Sequence, residues 1–388
     1  MKKRLPRDVY LFGLVSFLTD ISSEMIFSVF TLFLALIAGA TAPVIGLMEG
    51  FADTSASLLE VFSGYISDRV RKRKPFVVLG YGLSTLAKII LPFAQRIPAL
   101  FSFRVVERFG KGIRTAPRDT MIASLTEKGS RGKAFGIHRA LDTSGAVIGP
   151  LLAYWMLSKY GQIASTFKNI FSIAIIPAIL AVIVLAFIIK EKPSGVSRKR
   201  LNLTASFKLF SAKYKRYLLS YGLFSLAYFS FAFLLLRAYT LGFQVKDVIL
   251  LYLVYNVVFA LTAAPVGALS DKIGRKKVVI FGMLLYAIVC IGFAFVTTKL
   301  VAAALFGLYG VFLAVDESVG RAYAADLTPP RIRATAMGTL NTVTGVIYLP
   351  ASLLAGFLWK TSPAIPFITA AIISVLAALL LLVLVRER

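Results

Sequence analysis

The chain has 388 residues, 58% of them hydrophobic and only 16% charged, with a mean hydropathy of +0.80; this excludes a soluble domain of ordinary composition and points to a membrane protein. Lys and Arg number 44 against 18 Asp and Glu, a net charge of +26, but the basic residues cluster between apolar runs, where they set topology, so no nucleic-acid partner is expected. One cysteine, Cys290, excludes an internal disulfide, and one histidine, His138, excludes a His-rich metal site.

Apolar runs follow one another at residues 9–38, 43–67, 76–95, 98–125, 134–157 and 163–189. The first is too long for a signal-peptide core and carries Asp20 and Glu24, so it is expected to be a retained membrane helix. A basic segment over 190–215 is the one linker-like stretch; its Asn202-Leu203-Thr204 sequon is expected to face the cytoplasm and to carry nothing. Six more runs follow at 217–241, 248–270, 278–296, 301–325, 334–358 and 365–385. Each is near the ~20 residues that cross a bilayer. The predicted fold is an all-α membrane bundle of about twelve helices, with an N-terminal half over 1–189, a cytoplasmic linker over 190–215 and a C-terminal half over 216–388. Connections near 69–74, 128–133, 190–215 and 272–277 are rich in Lys and Arg while the alternate ones are not, which predicts both termini in the cytoplasm.

The chain is internally doubled. GYISDRVRKRK over 64–74 returns as GALSDKIGRKK over 267–277, and SLTEKGSRGKAFG over 124–136 as DLTPPRIRATAMG over 326–338. In each opening copy a glycine permits close helix approach, an aspartate sits at a helix end, and basic residues stay in the water layer. The residues concerned are Gly64, Asp68 and Arg69, and then Gly267, Asp271, Lys272, Gly274 and Arg275. Both copies resemble the signature between the second and third helices of major facilitator superfamily transporters, the first departing from it at Ile66 and Arg71. The DISSEM and ERFGKGIRTAPRD segments are similar to those of bacterial and archaeal efflux-type permeases of that superfamily. The resemblance covers the whole chain. It implies two pseudo-symmetric six-helix halves, transport by alternating access, and a central cavity lined by the first, fourth, seventh and tenth helices. It further implies a monomer in the cell membrane that needs no cofactor and has a small-molecule solute, protons and the lipid bilayer as its partners.

Ionisable residues at membrane depth cost roughly 2.5–3.5 kcal/mol each on insertion scales, so a span carrying several must face protein or water. The fourth span carries Arg104, Glu107, Arg108, Lys111, Arg114, Arg118 and Asp119 within an arc of roughly 140° over about 21 Å, too deep for every cation to snorkel. Arg108, Lys111, Arg114 and Arg118 are solute-binding candidates, with structural ion pairing as the alternative. Asp20 and Glu24 share a face of the first span, as Glu49, Asp53 and Glu60 do of the second; Asp20, Glu24, Asp53 and, in the fifth span, Asp142 are proton-coupling candidates. The GAVIGP segment with Gly145, Gly149 and Pro150 is similar to an exporter motif, and His138 lies one turn from Asp142 as a possible structural partner. Tyr228, Tyr255, Asn256 and Asn341 add ring and amide groups suited to solute contact.

The repeat offset places Asp316 at the position of Arg114 and Arg321 at that of Asp119, with charges reversed. Arg114 with Asp316, or Asp119 with Arg321, are therefore expected as gate pairs, the alternative being a local pairing of Asp316 or Glu317 with Arg321. No catalytic motif or domain-sized connection is present, so no enzyme is expected. The leading functional expectation is proton-coupled export of a small organic solute. The alternatives are exchange or uptake of an organic or phosphorylated anion, and a transporter-like sensor.

Overall fold

The computed structural model describes residues 5–70, 72–125, 131–189, 210–329 and 332–385. The basic connections at 126–130 and 190–209 lie outside these, and with them most of the expected linker.

The described residues form twelve long helices. They are α1 Arg7–Leu36, α2 Ala42–Val70, α3 Lys74–Phe93, α4 Ile97–Ser124, α5 Arg131–Tyr160 and α6 Ala164–Ile188, then α7 Ala212–Thr240, α8 Val245–Ile273, α9 Arg275–Phe295, α10 Lys299–Asp326, α11 Arg333–Thr361 and α12 Ile365–Leu384. Among them, ten are long and apolar enough to cross a membrane. The other two, α2 and α4, are those with the most carboxylates and guanidinium groups along their length. Helix satisfies every backbone polar group locally, which the hydrocarbon layer demands.

α3 ends in a 3-10 turn over Leu91–Phe93 and α6 in a π turn over Val184–Ile188, and two further helices are irregular within their length. The backbone of α7 is not helical between its segments Ala212–Ala227 and Ala232–Thr240, and α10 widens into a π turn over Val315–Gly320. Neither irregularity is announced by a proline. By contrast α4 runs on through Pro117.

The helices assemble into two compact units. Unit 1 takes in Met1–Ala40, Phe51–Val196 and Val245–Leu250, and unit 2 takes in Thr41–Gly50, Ser197–Gln244 and Leu251–Arg388. Between membrane helices there is no water to expel, so association depends on close packing of small residues. In unit 1, α1 meets α5 where Cβ atoms at Gly145 and Gly149 would lie 2.4 Å from the Phe17 carbonyl and 2.6 Å from that of Ile21. Gly80 of α3 and Gly110 of α4 back onto each other, a Cβ on either lying within 2.5 Å of the other's carbonyl, and a Cβ at Gly112 of α4 would lie 2.5 Å from the Ala56 carbonyl of α2. In unit 2, Gly310 does the same between α10 and the Tyr255 carbonyl of α8 at 2.5 Å.

Each copy of the doubled motif is anchored within its own unit. Lys74 donates to the Ala186 carbonyl near the end of α6 at 2.7 Å, and Lys276 to the Leu382 carbonyl near the end of α12 at 3.1 Å. A cation is favourable at these C-terminal carbonyls, which have no partner in their own helix.

Candidate functional site

Unit 1 gathers its charges on the facing sides of α1, α2, α4 and α5. The Gly145 and Gly149 contacts lie directly behind Asp20 and Glu24, at 3.0 and 3.1 Å from their Cβ atoms. Close packing thus sets the height and rotation of these two carboxyls. Asp20 is half-buried, and the charged groups facing it are Asp142 of α5, Glu24 and Lys111. Asp142 in turn accepts from Arg139 at 3.2 Å. The Nε2 of His138 pairs with the Ser16 hydroxyl at 2.7 Å, which ties α5 to α1, and Asp142 is among the charges that act on this ring.

The charged face of α4 divides into a buried and a water-accessible row. Arg104, Glu107 and Arg114 are buried, Arg108 and Arg118 are half-buried, and Lys111 is exposed, between Asp20, Asp53 and Glu107. Arg108 pairs with Asp53 at 2.9 Å, joining α4 to α2, and lies 3.9 Å from Glu107. Arg104 lies 3.6 Å from Glu107, and both guanidinium groups lie over the Phe27 ring, at 4.2 and 5.5 Å. Arg114 donates to Ser84 at 2.6 Å and stacks on the Tyr81 ring at 4.4 Å, while Arg118 is spent on Asp119 at 2.9 Å. Of the acids expected to share a face of α2, Asp53 and Glu60 belong to unit 1, whereas Glu49 is buried in unit 2.

Sequence reasoning missed Lys88. This lysine of α3 is 1% exposed and donates to Ser22 at 3.0 Å and Ser23 at 2.8 Å, the two hydroxyls between Asp20 and Glu24 on α1. Glu107, Arg114, Asp20 and Glu24 are the charges that act on it. The signal in the sequence was a lone cation inside an apolar run.

Unit 2 presents a different surface. Tyr217, Tyr221, Phe224 and Tyr228 recur at helical spacing along α7 and face Tyr309, Phe312, Asp316 and Gly320 of α10. Tyr217 donates to the Gly320 carbonyl at 2.9 Å and Tyr221 to the Asp316 carboxylate, Phe224 meets Phe312 with ring centroids 5.9 Å apart, and the Tyr228 and Tyr309 hydroxyls pair at 3.4 Å. Tyr228 also packs edge-on against Tyr286, Phe312 and Tyr348. Tyr255 joins Phe231 and Tyr309 at 4.5 and 5.7 Å. The Asn256 amide is spent on the Tyr252 carbonyl of its own helix at 3.0 Å, and Asn341 is half-buried on α11. Phe231, Tyr286, Tyr309, Phe312 and Tyr348 were not singled out from the sequence, because an aromatic in an apolar run reads as packing.

Each expected gate residue has a partner in its own unit: Arg114 with Ser84, Asp119 with Arg118, Asp316 with Tyr221, and Arg321 with Glu317 at 3.0 Å. In the doubled motif, close helix approach holds at Gly64, where a Cβ would lie 3.2 Å from that of Ala116, but a Cβ at Gly267 would meet nothing within 4 Å. Gly274 is required for another reason, its φ of +96° at the α8–α9 turn. Arg275 bridges Asp271 at 2.9 Å and Asp326 at 3.0 Å, tying that turn to the end of α10. Arg69 and Lys272 are exposed at the ends of α2 and α8; the side chain of Asp68 lies outside the described residues, as does Arg71.

This architecture has close counterparts among known proteins. A mutant form of the nucleoside transporter NupG superposes with a TM-score of 0.83 at 13% identity, covering 97% of this chain and 100% of that one. The D-xylose-proton symporter superposes with a TM-score of 0.79 at 18% identity over 98% of each chain. In sequence, the MFS-type transporter MJ1317 of Methanocaldococcus jannaschii is 39% identical over 98% of this chain and 95% of its own length. The family model of the Major Facilitator Superfamily matches residues 12–250 and 217–388. With doubled motifs, twelve helices and a relative of this identity along nearly its whole length, the chain belongs to the major facilitator superfamily.

Proposed function

We propose that the protein is a proton-coupled secondary transporter that exports a small organic solute by alternating access. The observation that carries this reading is the gathering of Asp20, Glu24 and Asp142 beside the exposed Lys111. Carboxyl groups gathered beside a lysine on a water-accessible face inside membrane helices suit a site that loads and releases a proton once per cycle. Asp53, ion-paired to Arg108, is the further coupling candidate on this face. The Gly145, Gly149 and Pro150 segment, similar to an exporter motif, supports export, and the basic connections support cytoplasmic termini.

The test is reconstitution into liposomes that trap a pH-sensitive dye, with nucleosides, sugars, amino acids and lipophilic cations added in turn. The expected result is solute-dependent proton movement that Asp20→Asn abolishes. Radiolabelled solute crossing with no proton movement would overturn the coupling, and an imposed gradient driving uptake along with protons would overturn export. A second reading, exchange or uptake of an organic or phosphorylated anion, rests on the exposed ammonium of Lys111. It predicts anion flux that is lost in Lys111→Ala and indifferent to Asp20→Asn.

A further inference from the structure

Unit 2 holds a carboxylate whose setting differs from that of every acid described in unit 1. Asp316 is half-buried on the π turn of α10 and accepts a hydrogen bond from Tyr221, a neutral donor. Among the described residues no lysine or arginine lies within ion-pair distance of it; the charges that act on it are Glu317 and Arg321, which pair with each other at 3.0 Å. An ionisable side chain within a membrane span that lacks an ion-pair partner marks a functional position.

Aromatic faces lie next to that carboxylate. Phe224, Tyr309 and Phe312 are buried as a backing layer, while Tyr228, Phe231 and Tyr348 are half-buried in front of them. The faces of such rings carry partial negative charge and attract cations. The two backbone irregularities of unit 2 fall in the same place, since Asp316 rides on the π turn and Tyr228 and Phe231 bound the non-helical stretch of α7. At membrane depth, backbone that is not helical persists where it is buried in protein or lines a water-filled cavity, and the half-buried rings here indicate the second. From Tyr221, at the level of Asp316, to Tyr228 is seven residues along α7, about 10 Å.

We infer that this face of unit 2 binds the solute and that the solute is an organic cation, its charge held at Asp316 and an aromatic or apolar body about 10 Å long lying along Tyr228, Phe231 and Tyr348. The inference rests on the transport reading and gives it a substrate class. Among the described residues no cation of this face is available to an anionic solute: Arg237, at the other end of α7, is spent on the carbonyls of Phe293 and Ala294 at 2.8 and 3.2 Å.

The experiment uses the purified full-length protein and a pair of probes of one shape and opposite charge, tetraphenylphosphonium and tetraphenylborate. Equilibrium binding of radiolabelled tetraphenylphosphonium and thermal stabilisation by each probe are measured. The expected result is saturable binding and stabilisation by the cation alone. Asp316→Asn is expected to weaken binding by at least about tenfold and Tyr228→Leu by several-fold. Should Asp316→Asn fail to fold, Asp316→Glu carries the test, because it keeps the charge but displaces it by one methylene and must still weaken binding. Equal stabilisation by tetraphenylborate, or undiminished binding in a folded Asp316 variant, overturns the site. In the dye-loaded liposomes, tetraphenylphosphonium that binds through Asp316 but moves no protons leaves the site standing and sinks the coupling. Proton movement driven only by neutral or anionic solutes does the reverse.

Discussion

The ammonium of Lys88 is joined to the hydroxyl of Ser23 at 2.8 Å in the interior of unit 1, one residue from Glu24. Ser22 accepts a second bond from it at 3.0 Å. A buried ammonium held by two hydroxyls needs both, since hydrogen bonds to charged groups contribute about 1.5–3 kcal/mol and an unsatisfied charge costs more. Replacing both serines by alanine is therefore expected to destabilise the protein by about 2–4 kcal/mol, read as a lowered thermal midpoint in detergent. Adding Lys88→Met to that double variant is expected to restore part of the loss, because it removes the stranded charge. If the triple variant is less stable than the double, Lys88 is held by something other than these hydroxyls.

The contrast between Lys88 and the α4 face shows what the sequence discloses and what it does not. Period and composition locate twelve spans to within a few residues, and seven ionisable groups on α4 are conspicuous because their cost in a membrane is large. A single lysine inside an apolar run looks like a snorkelling side chain, and only the fold shows that it points at Ser22 and Ser23. Asp142 faces Asp20 from another helix and far along the chain, so helical spacing carries no trace of it. The break in α7 and the π turn in α10 involve neither proline nor a glycine pair. Tyr217 and Tyr221 clasp the π turn from another helix, so its origin is tertiary.

Glycines behind the Asp20 face make a second test. A methyl at Gly149 would lie 2.6 Å from the Ile21 carbonyl and 2.9 Å from the Met25 amide, backbone atoms that cannot turn aside. Gly149→Ala must push α1 off α5, at a cost of about 1–3 kcal/mol, and is expected to displace Asp20 and Glu24 and lose proton coupling. Gly136→Ala, on the same helix but with nothing within 4 Å, is the control and is expected to be neutral or slightly stabilising. Equal effects at the two positions would show that packing against α1 is not what Gly149 is for.

Within the second copy of the doubled motif the two glycines should part company. Gly274 has φ +96° and ψ 131°, a conformation that costs an L side chain on the order of 1–3 kcal/mol, so Gly274→Ala is expected to lower the thermal midpoint. Gly267 lies inside α8 with open space where its Cβ would be, and Gly267→Ala is expected to raise stability by about 0.5–1 kcal/mol. Thermal denaturation of the two variants side by side decides the matter; a destabilised Gly267→Ala would mean that α8 packs closely there in another state of the cycle.

The pairing of Arg108 with Asp53 separates structural from coupling roles. The bond spans 2.9 Å between α4 and α2, with the two side chains 15% and 27% exposed. Either Asp53→Asn or Arg108→Gln alone is expected to cost about 1–3 kcal/mol, between the values for exposed and fully buried pairs. Exchanging the residues, Asp53→Arg with Arg108→Asp, keeps the ion pair and is expected to recover at least half of that stability. Proton movement in dye-loaded liposomes then reports on role. If the exchanged protein is stable and still coupled, Asp53 serves as the partner of Arg108, and coupling rests with Asp20, Glu24 and Asp142. If it is stable but uncoupled, the carboxyl must stand on α2 itself, and Asp53 carries a proton in the cycle.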